Sequence, residues 1–148
     1  MAVGFGGSGP ELAISGEGIP AFIPIVRQIV EAAPDIPNWT VLAFRPRCGS
    51  VESVLHDGKR FSAKDIDFYG EIEDEKVNVA FYIRGLTKRT REQHIGAIFL
   101  LLDALIGEYE TMTKLGAIDF LPFPPADPST PLRPFGELRD IVDSLPSV

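Results

Sequence analysis

The chain has little cysteine and no excess of positive charge. One of its 148 residues is a cysteine, Cys48, which excludes an intramolecular disulfide framework and is typical of a reducing compartment. The 14 lysines and arginines are outnumbered by 21 aspartates and glutamates, so the net charge is −7. Because basic patches attract nucleic acid and anionic membranes, this balance argues against both as partners.

Long hydrophobic runs are also missing. The most apolar stretch, Ile95–Ile106, contains one charged residue, Asp103, and is well short of the roughly 20 residues that cross a bilayer. Residues 1–9 have neither the basic nor the apolar segment of a signal peptide. We therefore predict a cytoplasmic protein, with Ile95–Ile106 as a helix at the centre of its core and Asp103 on the outer side of that helix.

Length and composition predict a single α+β domain. The Gly-rich residues 1–10 are predicted to be a flexible tail, and residues 11–148 form the domain, with a Pro-rich loop at 122–134. The elements read in the order β-α-β-β-β-β-α-β-α. Because neighbouring strands joined by short turns pair antiparallel, we predict a mainly antiparallel sheet of about five to six strands. Two main helices would pack on one face of it, followed by a short C-terminal helix.

The most regular alternation flanks the turn at residues 73–76, although the clearest strand by composition is predicted at residues 39–45. Period-2 alternation predicts that Val77, Val79, Phe81 and Ile83 face inward. The opposite face combines aromatic and charged side chains, a composition typical of protein interfaces. We predict that it contacts a partner protein or a second copy of the chain through Asp67, Tyr69, Glu71, Asn78, Tyr82 and Arg84.

Three features of the sequence resemble parts of known functional sites, but the residues around them do not support a chemical function. Gly4–Gly9 matches G-x-G-x-x-G, but the dinucleotide motif needs a strand before it and a helix after it. Ser15–Gly18 lies between a predicted strand and helix, where backbone N–H groups could hold an anion. It lacks the lysine of a P-loop, so a plain turn is favoured. Cys48 has no recognised Cys–His pattern around it and is interpreted as an incidental thiol.

The acidic residues are the strongest candidates for catalysis or metal binding. Asp67 and Glu71 project from the same face of one strand and could act as an acid–base pair, with His56 as a further group. The spacing within 65–75 does not match a calcium loop, and a solvated turn explains the cluster equally well. Asp103 and Glu108 could be functional carboxylates or rim residues paired with an arginine. No catalytic, metal or cofactor residue is assigned.

Four blocks of the sequence carry a resemblance. They are Glu11–Ser15, Ala32–Trp39, Ala43–Pro46 and Leu101–Glu108. Together they resemble bacterial proteins grouped as a domain of unknown function, over about residues 11–121. The resemblance implies a bacterial cytosolic domain and brings no activity or catalytic residue with it.

The sequence as a whole favours a non-enzymatic binding or regulatory domain that acts through protein contacts. The alternative is a small hydrolase-like or metal-binding enzyme that uses Asp67 and Glu71. An enzyme would bring these carboxylates together in a concave pocket, whereas a binding domain would present an exposed surface patch. No cofactor or small-molecule ligand is identifiable from the residues.

Overall fold

The computed structural model describes residues 2–6 and 9–146. Within these residues the chain forms an α+β fold with four α-helices and strands in three sheets. The elements are β1 (Ala2–Gly6), β2 (Gly9–Ile14), α1 (Ile23–Ala32), β3 (Thr40–Ala43), β4 (Ser53–His56), β5 (Lys59–Ser62), β6 (Ile66–Glu73), β7 (Lys76–Ile83), α2 (Arg91–Ile106), α3 (Glu108–Lys114), β8 (Leu115–Pro122), β9 (Arg133–Pro134) and α4 (Leu138–Asp143).

The largest sheet has the strand order β8-β7-β6-β9. Its centre is the predicted antiparallel hairpin of β6 and β7, paired from Ile66 with Ile83 to Glu73 with Lys76. Asp74 and Glu75 in the turn have φ angles of 51° and 65°, as tight hairpin turns require. β9 arises within the predicted Pro-rich loop and adds a short antiparallel edge to β6.

The prediction of one mainly antiparallel sheet of five to six strands is wrong. The chain forms three small sheets, and β2 pairs parallel with β3 just as β7 pairs parallel with β8. Each parallel pair is separated by helix: α1 lies between β2 and β3, and α2 with α3 lies between β7 and β8. A helical crossover returns the chain to the end of the sheet where it started, which permits parallel pairing.

The described part of the Gly-rich N-terminal segment forms strands. Ala2–Gly6 forms β1, which pairs antiparallel with β2 from Ala2 opposite Ala13 to Gly6 opposite Gly9. A strand ladder uses backbone N–H and C=O groups, which glycine carries like any other residue. Glycine content therefore does not prevent pairing where a neighbouring strand offers an edge. Residues 1, 7 and 8 of the predicted tail lie outside the described residues.

The main core lies between the largest sheet and the helices α2 and α4. The four residues predicted to face inward from β7 are all buried, which confirms the alternation. α2 supplies Ile98, Leu101, Leu102, Leu105 and Ile106, and the predicted C-terminal helix supplies Leu138 and Val142. We call the sheet β8-β7-β6-β9 with α2 and α4 the large unit. No helix within residues 2–6 and 9–146 combines the length and apolarity needed to cross a membrane.

A second, smaller core lies between α1 and the sheet β1-β2-β3, which together we call the small unit. Its buried residues are Ile14, Val26 and Phe44. Helical periodicity predicts a buried face on α1 that includes Phe22 and Ile29, yet both side chains are exposed. The sheet under α1 is narrow, with six residues in β2 and four in β3, so it covers only part of the apolar side of α1.

Candidate functional site

A buried carboxylate joins the two units at the break between α2 and α3. Gly107, which separates these helices, has a φ of 92°, a conformation that glycine adopts without the steric cost of a Cβ. Glu108 follows immediately, and its side chain is completely buried. Its backbone N–H donates to the carbonyl of Arg45, just beyond β3, at 3.0 Å. α3 therefore begins with a contact to the small unit.

The carboxylate of Glu108 accepts hydrogen bonds from four donors of the small unit. Ser15 Oγ, Gly16 N and Gly18 N lie 3.0, 2.9 and 3.4 Å from Oε2. Arg45 N lies 3.0 Å from Oε1. Burying a carboxylate is costly unless its oxygens are hydrogen-bonded, and these donors meet that requirement. The Ser15–Gly18 loop thus holds an anion, as its glycines and backbone N–H groups allow, and the anion is a side chain of the same protein.

A cleft of about 380 Å³ opens next to this loop, over the outer side of α2. Clefts of this size accommodate small organic molecules. Four residues of α2 line it, three of them along an apolar floor, and residues from β4, the segment after β3 and the Ser15–Gly18 loop complete its walls together with Asp103 of α2. The lining residues are Glu17, Gly18, Arg45, His56, Gly96, Phe99, Leu100 and Asp103.

Asp103 lies on the wall of the cleft, on the outer side of α2 as predicted, but it is only 9% exposed, so the expectation that this side need not be buried is wrong. The outer side of α2 is itself covered, because the segment after β3 crosses it. Arg45 Nη1 lies 3.3 Å from Asp103 Oδ2, and Arg45 Nη2 lies 3.3 Å from Glu17 Oε2. Burial, together with repulsion from Glu108, raises the pKa of Asp103 to about 6, although Arg45 acts in the opposite direction.

His56, at the end of β4, lies against α2 at Gly96. A Cβ on residue 96 would overlap the His56 imidazole, so glycine is needed there for the β4–β5 hairpin to approach the helix. The Phe61 ring lies next to both histidine rings, with centroid distances of 6.4 Å to His56 and 5.1 Å to His94. Asp57 and Gly58, in the turn of this hairpin, have φ angles of 50° and 75°, as an Asp-Gly hairpin turn requires.

The predicted interaction face lies on one side of the β6–β7 hairpin. The register places Asp67 opposite Tyr82 and Glu71 opposite Asn78, and all six predicted residues retain exposure to solvent. Most of their polar groups are engaged locally. Arg84 Nη2 lies 3.1 Å from Asp67 Oδ2, the Tyr69 hydroxyl donates to Glu71, and Asn78 bonds to Glu73 and to the backbone N–H of Ala117.

The three residues named for the enzymatic alternative, Asp67, Glu71 and His56, are not brought together. His56 lines the cleft over α2, whereas Asp67 pairs with Arg84 and Glu71 accepts a hydrogen bond from Tyr69 on the β6–β7 hairpin. Across residues 2–6 and 9–146, no three histidine, cysteine, aspartate or glutamate side chains converge as a metal would require. Cys48 is an exposed free thiol. Asp67, Glu71 and His56 therefore do not form a common site of the kind that the enzymatic alternative requires.

An exposed apolar patch on and beside α1 is the surface that the sequence analysis missed. We call it the α1 patch. Ile25 and Ile29 lie one helical turn apart, and Phe22 lies one turn before Ile25. Excess apolar residues beside a short sheet are the signal that could have revealed it. The six members are 39–50% exposed: Ile19, Phe22, Ile25, Ile29, Ile36 and Trp39.

Comparisons of the chain with models of protein families, with curated proteins and with solved structures give no match. The resemblance to an uncharacterised bacterial family therefore stays a prediction. The candidate functional surfaces of the protein are the cleft over α2, the β6–β7 face and the α1 patch.

Proposed function

We propose that the protein is a non-enzymatic binding domain that acts through contacts with another protein, and that the α1 patch is its docking surface. The observation that carries the proposal is the exposure of six large apolar side chains on one element and its flanks. Single exposed apolar residues are common on proteins, whereas grouped ones mark interaction sites. Their grouping on α1 leads us to prefer this surface over the β6–β7 face.

The energetics of covering the patch support binding. Complete burial of an isoleucine or phenylalanine side chain contributes about 1.5–3 kcal/mol. The side chains of Ile25 and Ile29 are 50% and 48% exposed, so covering the remainder of each would contribute about 1 kcal/mol. Phe22 and Trp39 add aromatic surface, which is enriched among the residues that dominate binding energy.

The charge around the patch defines the chemistry of the partner. Glu17, Glu31 and Asp35 are exposed acidic residues near the members of the patch in sequence. Arg27, the cation of α1, lies over the Tyr109 ring at 5.1 Å from its centroid. A complementary partner therefore offers an apolar surface with a basic rim. A second copy of the chain would instead bring a further net charge of −7.

The role of the α1 patch in docking is tested by introducing a charged side chain into it. Ile25→Glu introduces a carboxylate at its centre, and Leu55→Glu is a matched control at an exposed leucine of β4, which is outside the patch. With a photo-crosslinking residue at position 29, we expect the wild-type background and the control to crosslink the same protein through a basic segment. The Ile25→Glu background should lose that product.

Three results would contradict the α1 patch as the docking surface. Crosslinking that survives Ile25→Glu would place the contact elsewhere. Loss of the partner in Tyr69→Ala and Tyr82→Ala, with Ile25→Glu unaffected, would assign the contact to the β6–β7 face. A doubled mass by sedimentation, abolished by Ile25→Glu, would identify a second copy as the occupant.

A further inference from the structure

The cleft over α2 combines an apolar floor with a charged wall. Phe99 is 37% exposed there, although its neighbours Ile98 and Leu101 are buried in the main core. Gly96 and Leu100 extend the apolar floor. Apolar surface with a few converging polar groups is the usual composition of a small-molecule site. The cleft therefore has the size and the lining to hold an organic molecule.

The charges around the cleft are unbalanced. Two carboxylates, on Glu17 and Asp103, contact the single guanidinium of Arg45, whereas the carboxylate of Glu108 accepts from the Arg45 backbone N–H. Glu108 is fully engaged by backbone and hydroxyl donors, so Arg45 is shared between Asp103 and Glu17. This arrangement leaves an excess of acceptors and negative charge at the wall. An anionic ligand would be repelled and a cationic one attracted.

We propose that this cleft binds a small organic cation, namely an amine or amidine joined to an apolar body. The cationic group approaches the carboxylates of Asp103 and Glu17 from the open side of the cleft, and Arg45, 3.3 Å from each, holds them in place. The apolar body rests on Phe99, whose ring can also stabilise a cation over its face. His56 closes the opposite wall from β4, and Gly96 gives it the space to do so.

The titratable and charged groups that face Asp103 are Arg45 after β3, Glu17 in the Ser15–Gly18 loop, Glu108 on α3 and His56 on β4. Asp103 carries its charge above its pKa of about 6 and loses it below. The affinity for a cation should therefore fall as the pH drops through this range. His56 faces the same cleft, so a variant that removes its side chain isolates the contribution of Asp103.

The test is an NMR titration of the ¹⁵N-labelled full chain at pH 7.5 with three probes of similar shape: benzylamine, benzyl alcohol and benzoate. We expect benzylamine to shift the amides of Gly96, Phe99 and Leu100, with a Kd of about 1 mM, as its size allows. Benzyl alcohol and benzoate should bind at least about tenfold more weakly. Equal binding of benzyl alcohol, or tighter binding of benzoate, would overturn the proposal.

Variants of the acidic side chains test whether they cause the preference of the cleft for benzylamine. Asp103→Asn should weaken benzylamine at least about tenfold, and Glu17→Gln about threefold, by removing the charges that attract the cation. The Glu17 side chain is 64% exposed, so this second variant keeps the fold. The control is Asp143→Asn, since Asp143 also pairs with an arginine, Arg47 at 3.0 Å, away from the cleft. Weakening by the control to the same extent would overturn the proposal.

The pH dependence tests the role of Asp103 once the His56 side chain is removed. In a His56→Gln variant, the affinity for benzylamine should still fall between pH 7.5 and 5. A flat profile in that variant would overturn the assignment to Asp103. The amide spectrum recorded in each titration also shows whether the variant is folded. A loss of binding is attributed to the substituted side chain where that spectrum matches the wild type.

Discussion

The large and small units differ in how completely they bury their apolar residues. In the large unit, Phe68, Phe81 and Val77 have no exposed surface. In the small unit, Val26 is the buried residue of α1, while Phe22, Ile25 and Ile29 are 42–50% exposed. A narrow sheet covers one side of α1 and leaves the rest open. We infer that stability resides mainly in the large unit and recognition in the small one.

Truncating a core phenylalanine tests the large unit most severely. Phe81→Ala should lower the free energy of unfolding by about 3–5 kcal/mol, because it removes buried surface and leaves a cavity. Its ring contacts Phe120 and Phe135, with centroids 6.0 and 5.9 Å away. Phe22→Ala in the α1 patch is the matched control and should cost less than about 1 kcal/mol. Equal losses in urea denaturation would remove the distinction between the units.

The link between the units depends on Glu108. Glu108→Ala leaves the N–H groups of Gly16 and Arg45 without their acceptor, and each unsatisfied buried donor costs about 1–3 kcal/mol. We expect a loss of about 2–4 kcal/mol in urea denaturation, with amide exchange accelerated in the Ser15–Gly18 loop. Glu110→Ala, two residues along α3, serves as the control. Similar losses in both variants would show that Glu108 acts only through helix stability.

Asp103 makes the junction sensitive to pH. Its pKa is raised from 3.8 to about 6, so the folded state holds a proton that the unfolded state releases between these values. The stability that this group contributes is therefore present at low pH and falls as the pH rises through 4 to 6. Relative to Asp103→Asn, the wild type should lose about 1–2 kcal/mol over this window. Parallel denaturation curves at pH 4.5 and 7.5 would contradict this expectation.

The smallest effect on stability is expected in the α1 patch. Ile25→Ser replaces a half-exposed side chain and should change the free energy of unfolding by less than about 0.5 kcal/mol, measured by thermal and urea denaturation. The same variant should weaken partner binding, and with it crosslinking, about fivefold, since it removes about 1 kcal/mol of apolar burial. A loss above about 2 kcal/mol would mean that Ile25 contributes to the core of the small unit, and the contrast between the two units would then weaken.

Local patterns in the sequence predicted the elements that depend on local physics. The alternation in β7 predicted its buried face, and the apolar run Ile95–Ile106 predicted the helix α2. Both predictions follow from side-chain period over a few residues.

Non-local packing determined what the sequence did not reveal. The parallel pairing of β2 with β3 depends on where α1 returns the chain, and the burial of Asp103 depends on a segment almost 60 residues earlier, since Arg45 and Asp103 are 58 positions apart. The sequence around Glu108 indicates a surface residue, and its burial depends on the distant Ser15–Gly18 loop, which packs against it. The α1 patch was missed because helical periodicity identifies an apolar side and cannot state how much of it a sheet covers.

The carboxylate of Glu108 can be regarded as an intramolecular ligand of the Ser15–Gly18 loop. A tethered group reaches its binding site at an effective concentration of millimolar or more. Any free phosphate or nucleotide that reached the same N–H groups would have to displace a competitor that never diffuses away. The loop geometry that in other proteins receives a soluble anion is here committed to holding the chain together.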